Sequence, residues 1–181
     1  MFDAIVLAGA GSRRLDGADK AAVEVNGRTL LDIALAATDG AQRVVVAGPQ
    51  RLVDRDVVWV QEQPPGGGPV AGIAAAVGSV SATWTLVLAT DLPRIGPALP
   101  LLLTAAADVD VAVLSCDGRR NYLAAVWRTD ALRAALARLG EVEDAAARDL
   151  IAGADVADVE DEQGWGEDLD TWPEIERARH A

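Results

Sequence analysis

One cysteine and one histidine stand in 181 residues, and that scarcity removes several chemistries at once. Cys116 has no partner for an internal disulfide. It follows the apolar run "DVAVLS" and is read as a buried thiol at a strand end, not a nucleophile. His180 sits at the tail of the last expected helix, so Ser-His-Asp and Cys-His catalysis are excluded. With no second Cys or His to join them, a zinc centre is excluded as well. Long apolar runs are missing too. None reaches the roughly 18 to 20 residues that cross a bilayer. The opening "MFDAIVLAGAGSRR" carries Asp3 and no basic segment ahead of its apolar run, which speaks against an export signal. Together these features point to a cytoplasmic protein without a membrane partner. Positive charge is also in deficit, at a net −12. A general nucleic-acid surface needs a basic face, so that class is set aside. A small anionic ligand needs only local positive charge and stays open.

What is present is apolar. Such residues make up 51% of the chain, enough for one compact domain over 1–181. Short β-branched runs alternate with alanine-rich amphipathic stretches. Strands are expected at 4–9, 43–48, 56–62, 83–91, 109–115, 123–128 and 155–160. Helices are expected at 28–38, 68–79, 96–107, 129–140 and 171–180. Thr129 or Asp130 is expected to cap the fourth helix and Gly140 to end it. The alternation implies crossover connections and an α/β fold with a mainly parallel sheet covered on both faces. Ligands in such sheets bind outside the carboxyl ends of the strands. Three ends are loaded: Gly9 to Lys20, Gln61 to Gly68, and Thr90 to Pro93.

"VLAGAGSRRLDGADK" (6–20) concentrates bare backbone and positive charge in one loop. Gly9, Gly11 and Gly17 free the backbone N–H groups to form an anion-binding concavity. Arg13, Arg14 and Lys20 add charge-assisted donors. Neither the P-loop pattern nor the dinucleotide fingerprint fits: Ala18 and Asp19 separate Gly17 from Lys20, and Arg14 takes the place of the last glycine. "TLVLATDLP" (85–93) ends a buried strand in Asp91, which suits either a Mg²⁺ ligand or a cap of the next turn. Glu62 precedes the glycine run 66–68 and reads as a solvated strand-end charge or as an acceptor of ligand N–H groups.

Leu7-Ala8-Gly9, Arg14 and Asp19-Lys20, followed by "VEVNGRTLL", resemble the nucleotidyltransferase signature L-A-G-G-x-x-x-R-M-G-x-x-D-K, and most of all that of the molybdenum cofactor guanylyltransferases. Ala10, Leu15 and Asp16 depart from it. The resemblance implies a Rossmann-like three-layer sandwich and GMP transfer from GTP to the terminal phosphate of molybdopterin, releasing pyrophosphate. It implies that Leu7, Ala8, Gly9, Ala10, Gly11, Lys20, Glu62, Gly68 and Asp91 bind the nucleotide. Arg14, Lys20 and Asp91 are the implied catalytic residues, with Mg²⁺ on Asp91 and Glu62 reading guanine. "DLDTWPE" (168–174) resembles the family's closing element, with Trp172 inserted. Asp168 and Asp170 there suit metal or acceptor, while Asp170 or Thr171 suits a helix cap. "DGRRNYLAAVWR" (117–128) aligns with the pterin side, so Arg119, Arg120 and Asn121 are candidate acceptor contacts and Tyr122 or Trp127 a candidate for stacking on a ring, with a core position favoured for Trp127. "GWG" (164–166) is expected as a mobile flap, and 141–150 as a surface helix or an acceptor-side element. Contact with molybdoenzymes or cofactor-delivery proteins is also implied. Use of CTP or another phosphorylated acceptor, a nucleotide-binding protein without catalysis, and a partner-binding adaptor that feeds cofactor to an apoenzyme remain rivals.

Overall fold

Strands that are apolar at every position lie at the centre of a sheet, because a strand covered on both faces has no side left for polar groups. The computed structural model describes residues 1–9, 15 and 17–180. In chain order the elements are β1 (Phe2–Leu7), β2 (Glu24–Val25), β3 (Arg28–Thr29), α1 (Leu30–Ala37), β4 (Val44–Ala47), β5 (Val58–Val60), α2 (Gly68–Val77), β6 (Trp84–Ala89) and α3 (Leu99–Ala105). They continue with β7 (Val111–Cys116), β8 (Arg119–Arg128), α4 (Thr129–Leu139), α5 (Ala147–Leu150), β9 (Val156–Glu160) and α6 (Trp172–Arg179).

Seven strands form one sheet in the order β5-β4-β1-β6-β8-β7-β9. The pairs β1–β4, β1–β6, β4–β5 and β7–β9 are parallel. β8 runs antiparallel to both β6 and β7, so the sheet is parallel except at this strand. Asp117 (φ 49°) and Gly118 (φ 74°) make the turn that reverses it. Two adjacent left-handed residues give the twist that a two-residue hairpin requires, and Asp-Gly is a preferred pair for it.

Side chains alternate across the sheet. Ala4 and Val6 join a core cluster with Leu31 and Leu35 of α1 and Leu99 and Leu102 of α3. Ile5 joins a second cluster with Val70 and Ile73 of α2, Leu132 and Leu136 of α4, and Leu150 of α5. This is the three-layer sandwich expected. A third, smaller cluster unites Leu15, Val23, Val25, Leu30, Leu169 and Ile175, and so ties the start of the chain to α6.

Several local expectations are corrected. The first helix starts at Leu30 because Arg28 and Thr29 pair back onto Val25 and Glu24. Thr129 does not cap α4 with its side chain: its hydroxyl is buried and donates to the Ala82 carbonyl at 2.6 Å. Gly140 does end that helix, at φ 73°. Cys116 is exposed, because it is the last residue of β7 before the turn. Desolvation and the charges of Asp117, Asp161 and Glu160 push its thiol pKa up, which disfavours the thiolate. Residues 141–150 form a helix only over Ala147–Leu150. Before it, Asp144 (φ 54°) donates its N–H to the Gly67 carbonyl at 2.8 Å.

Gly48, just past β4, shows how tightly the strand exits pack. Its φ is +147°, and a Cβ there would lie 2.1 Å from the Ala8 carbonyl oxygen. Gly48→Ala is therefore expected to lower stability by about 3 kcal/mol, through backbone strain and displacement of Ala8. Urea unfolding should show a lower midpoint with an unchanged slope.

Candidate active site

The carboxyl ends of β1 and β6 lie side by side, and a cleft of about 310 Å³ opens above them. Leu7 and Gly9 enter from β1 and its exit, Thr90 and Asp91 from the β6 exit, Glu62 from the loop after β5, and Gly68 from the first residue of α2. β5 is not next to β1, since β4 lies between them. Its loop still reaches the cleft because α2 crosses back over the β4 end. Gly72 of α2 makes that approach possible: a Cβ there would sit 3.2 Å from Leu7 and 3.5 Å from Ala47. The cleft wall also includes Leu123 of β8, which the motifs did not mark. Ala8 is buried beside the cleft. Ala10, Gly11, Arg13, Arg14 and Asp16 lie outside the described residues.

Lys20 is the only lysine in the chain. Its ammonium donates to Asp91 Oδ2 at 2.7 Å and to Asp170 Oδ1 at 2.5 Å. Burial by itself depresses an ammonium pKa, yet here the Asp91 charge and the hydrogen bonds that Lys20 donates to Asp170 and Asp91 outweigh it. The pKa of Lys20 is raised, so the group stays charged across the physiological range. Asp170 is brought there by the 168–171 segment, whose Leu169 N–H donates to the Asp91 carbonyl at 3.0 Å. Leu169 itself is buried in the third cluster, so packing drives the two carboxylate-bearing segments together. An ion pair between Arg94 and Glu167 links the same segments at the surface.

Thr171, and not Asp170, is the N-cap of α6. The Glu174 carboxylate accepts the N–H groups of both Asp170 and Thr171 at 2.8 Å. These bonds, with the Thr171 side chain, hold the Glu174 pKa below its usual range. Asp168 behaves in the opposite way. Burial, the Asp170 charge and the Asp91 charge push its pKa up, and a hydrogen bond from its own backbone N–H and the Lys20 charge offset them only partly. Lys20 thus bridges two carboxylates, while a third, that of Asp168, feels the charges of all three groups.

Asp91 and Asp170 are hard oxygen donors converging on one point, a donor set that fits Mg²⁺. Among the described residues no group of three or more His, Cys, Asp and Glu is placed to hold a metal ion. Glu62 lines the cleft, and its Oε1 accepts the Gly66 N–H at 2.9 Å, which braces the glycine loop.

A second cavity of about 920 Å³ adjoins the first at Leu123 and is lined by Arg119, Arg120, Asn121, Tyr122 and Asp168. Arg120 is engaged in a two-pronged pair with Asp158 at 2.6 and 2.7 Å, which raises its pKa and lowers that of Asp158. Asn121 Oδ1 accepts the Leu123 N–H at 3.1 Å. Arg119 is exposed at the cavity wall. Trp127 is 2% exposed and belongs to the core, as expected.

Asp161 forms the floor of this cavity and pins the segment read as a flap. Its carboxylate accepts N–H groups from Gln163, Trp165 and Gly166 at 3.1, 2.9 and 2.7 Å. Burial raises its pKa, but these backbone bonds outweigh burial and the net shift is downward. A carboxyl depressed in the folded state stabilises it fully above its unfolded pKa and loses that contribution as pH falls through the folded value. Asp161→Asn is therefore expected to lower stability at pH 7 by about 1–3 kcal/mol. The gap from wild type should close below the usual carboxylate range. Unfolding curves at pH 7 and pH 3 check this.

A mainly parallel sheet carries, at the carboxyl ends of β1 and β6, a cleft with a half-buried lysine held by two aspartates, and the family comparison names the class. The MobA-like NTP transferase domain model matches residues 4–160. The chain belongs to that family. A probable molybdenum cofactor guanylyltransferase of Synechococcus elongatus is 40% identical over 105 residues, 52% of each chain. The matched stretch thus spans about half the length of that relative. A molybdenum cofactor guanylyltransferase of Acidiphilium cryptum is 35% identical over 129 residues, 68% of this chain and 65% of its own. Among solved structures, a nucleotidyl transferase from Methanothermobacter thermautotroptrophicus superposes with a TM-score of 0.83 at 20% identity, covering 99% of this chain and 96% of that one. A Mycobacterium tuberculosis H37Rv protein in complex with manganese superposes at 0.74 and 18% identity, covering 99% and 98%. No described helix is long and apolar enough to cross a membrane.

Proposed function

We propose that the chain transfers GMP from GTP to the terminal phosphate of molybdopterin, with Mg²⁺ as cofactor. The observation that carries this reading is Lys20 held between Asp91 and Asp170 at the mouth of the strand-end cleft. An oxygen of the acceptor phosphate attacks the α-phosphorus in line. The bond from the α-phosphorus to its bridging oxygen breaks, and pyrophosphate leaves with the electron pair. A phosphate anion is already a nucleophile, so no histidine base is needed. Lys20 and Arg14 neutralise charge on the α-phosphate and the departing pyrophosphate. Asp91, aided by Asp170, would hold Mg²⁺, which supplies charge neutralisation of the phosphate oxygens. Asp168 and Arg119 face the adjoining cavity, where the acceptor would sit. The carboxylate of Glu62 can accept N1–H and N2–H₂ of guanine together, which favours GTP over CTP.

A thermal-shift screen of nucleoside triphosphates with Mg²⁺ tests nucleotide choice without assuming an acceptor. GTP at 100 times its Kd is expected to stabilise the fold by about 2.7 kcal/mol, with smaller shifts from ATP, CTP and UTP. Pyrophosphate release in the presence of molybdopterin then tests catalysis. Stabilisation by CTP in place of GTP would reassign the base, and GTP binding without pyrophosphate release would make the chain a binding protein.

A further inference from the structure

The turn after β4 carries Arg51, which no motif marked. Its side chain is 14% exposed, and its guanidinium is committed to fixed partners. Nε and one terminal nitrogen donate to the two oxygens of Asp19, both at 2.7 Å. The other terminal nitrogen donates to the carbonyls of Ala8 at 3.0 Å and Pro49 at 2.8 Å. Ala8 follows β1 directly, and Asp19 directly precedes Lys20. One side chain from a third segment therefore grips the chain at the strand exit and again beside the lysine. Gly48, with no Cβ to strike the Ala8 carbonyl, brings the Arg51 turn that close.

A lysine side chain has four rotatable bonds, so the position of its ammonium depends on where its backbone is anchored. Asp19 is the N-cap residue of the 3₁₀ turn Lys20–Ala22, yet its side chain makes no capping bond there. The fork from Arg51 takes that carboxylate instead and fixes the turn from outside. We propose that Arg51 is a positioning residue for Lys20: it anchors the lysine's backbone while Asp91 and Asp170 hold its tip. The inference rests on Lys20 being the phosphate-neutralising group. A planar two-pronged fork is required for it, which lysine cannot supply.

The experiment compares Arg51→Ala, Arg51→Lys, Asp19→Asn and the Arg51→Ala/Asp19→Asn double variant with wild type. Because the chain has a single lysine, acylation of the free protein by a small amine-reactive reagent reports on Lys20 alone, with the N-terminal amine as internal reference. Peptide mass spectrometry separates the two. Lys20 is expected to react about 10-fold faster in Arg51→Ala, with circular dichroism unchanged and an intermediate rate in Arg51→Lys. The double variant should match Arg51→Ala, because the two side chains act as one unit. In the GTP assay, kcat is expected to fall about 10- to 100-fold with little change in KM. Wild-type labelling and wild-type kcat in folded Arg51→Ala would overturn the proposal. So would a loss of kcat that only tracks the unfolded fraction. If Arg51→Ala fails to fold, Arg51→Lys carries both readouts. If wild type itself transfers no nucleotide, the functional reading fails, and the labelling rates still decide whether Arg51 positions Lys20.

Discussion

Lys20→Ala is expected to lower kcat/KM about 10²- to 10³-fold, the usual cost of removing one preorganised charge contact from a phosphoryl-transfer site. The size follows from its setting. The ammonium is largely shielded from water, and its two carboxylate partners hold it in place before any ligand arrives. Removing it also leaves Asp91 and Asp170 facing each other without their shared cation. Stability should fall by about 1–3 kcal/mol as a result. Mg²⁺ should then stabilise the variant more than wild type, since a divalent ion takes over the cation's place between the carboxylates. Pyrophosphate-release kinetics and denaturation with and without Mg²⁺ check both halves. A variant with wild-type turnover would remove the basis of the mechanism.

Asp91→Asn is the second large effect. The substitution keeps the shape of the side chain and leaves the backbone carbonyl that accepts the Leu169 N–H. The fold should therefore survive with little change in unfolding midpoint. Charge is what is lost, and with it the carboxylate at the β6 exit that the proposed mechanism assigns to a divalent ion. We expect kcat to fall about 10²- to 10³-fold, and the Mg²⁺ concentration for half-maximal activity to rise. Titrating Mg²⁺ at saturating GTP separates the two effects. Unchanged metal dependence would place the ion elsewhere.

Much of the fold was legible because its signals are local. A run such as "TLVLA" is apolar at every position, so it must be covered on both faces wherever it ends up. The reversal of β8 was not read from the sequence: the apolar run from 123 drew the expected strand start away from Arg119, and the pairing with β7 that begins there is a tertiary contact. Cys116 was misread because a residue's exposure at a strand end depends on what packs across it. Glu62 shows the limit for single polar residues. A carboxylate beside glycines suits a ligand and a backbone N–H equally, and only the fold shows that Gly66 takes one of its oxygens.

The sequence by itself determined the layer architecture, the alternation of strand and helix, and which three strand exits carry charge or glycine. Those follow from periodicity, turn chemistry and the need to bury apolar runs, all written within a few neighbouring residues. Only the tertiary structure decided that Lys20 meets Asp170, 150 residues away, and that Arg51 clamps Asp19. Such pairings depend on strand order and on the packing of Leu169 beneath α6. Contacts across that separation leave no periodic trace in the chain, because burial of the surrounding core sets them, and local preference does not.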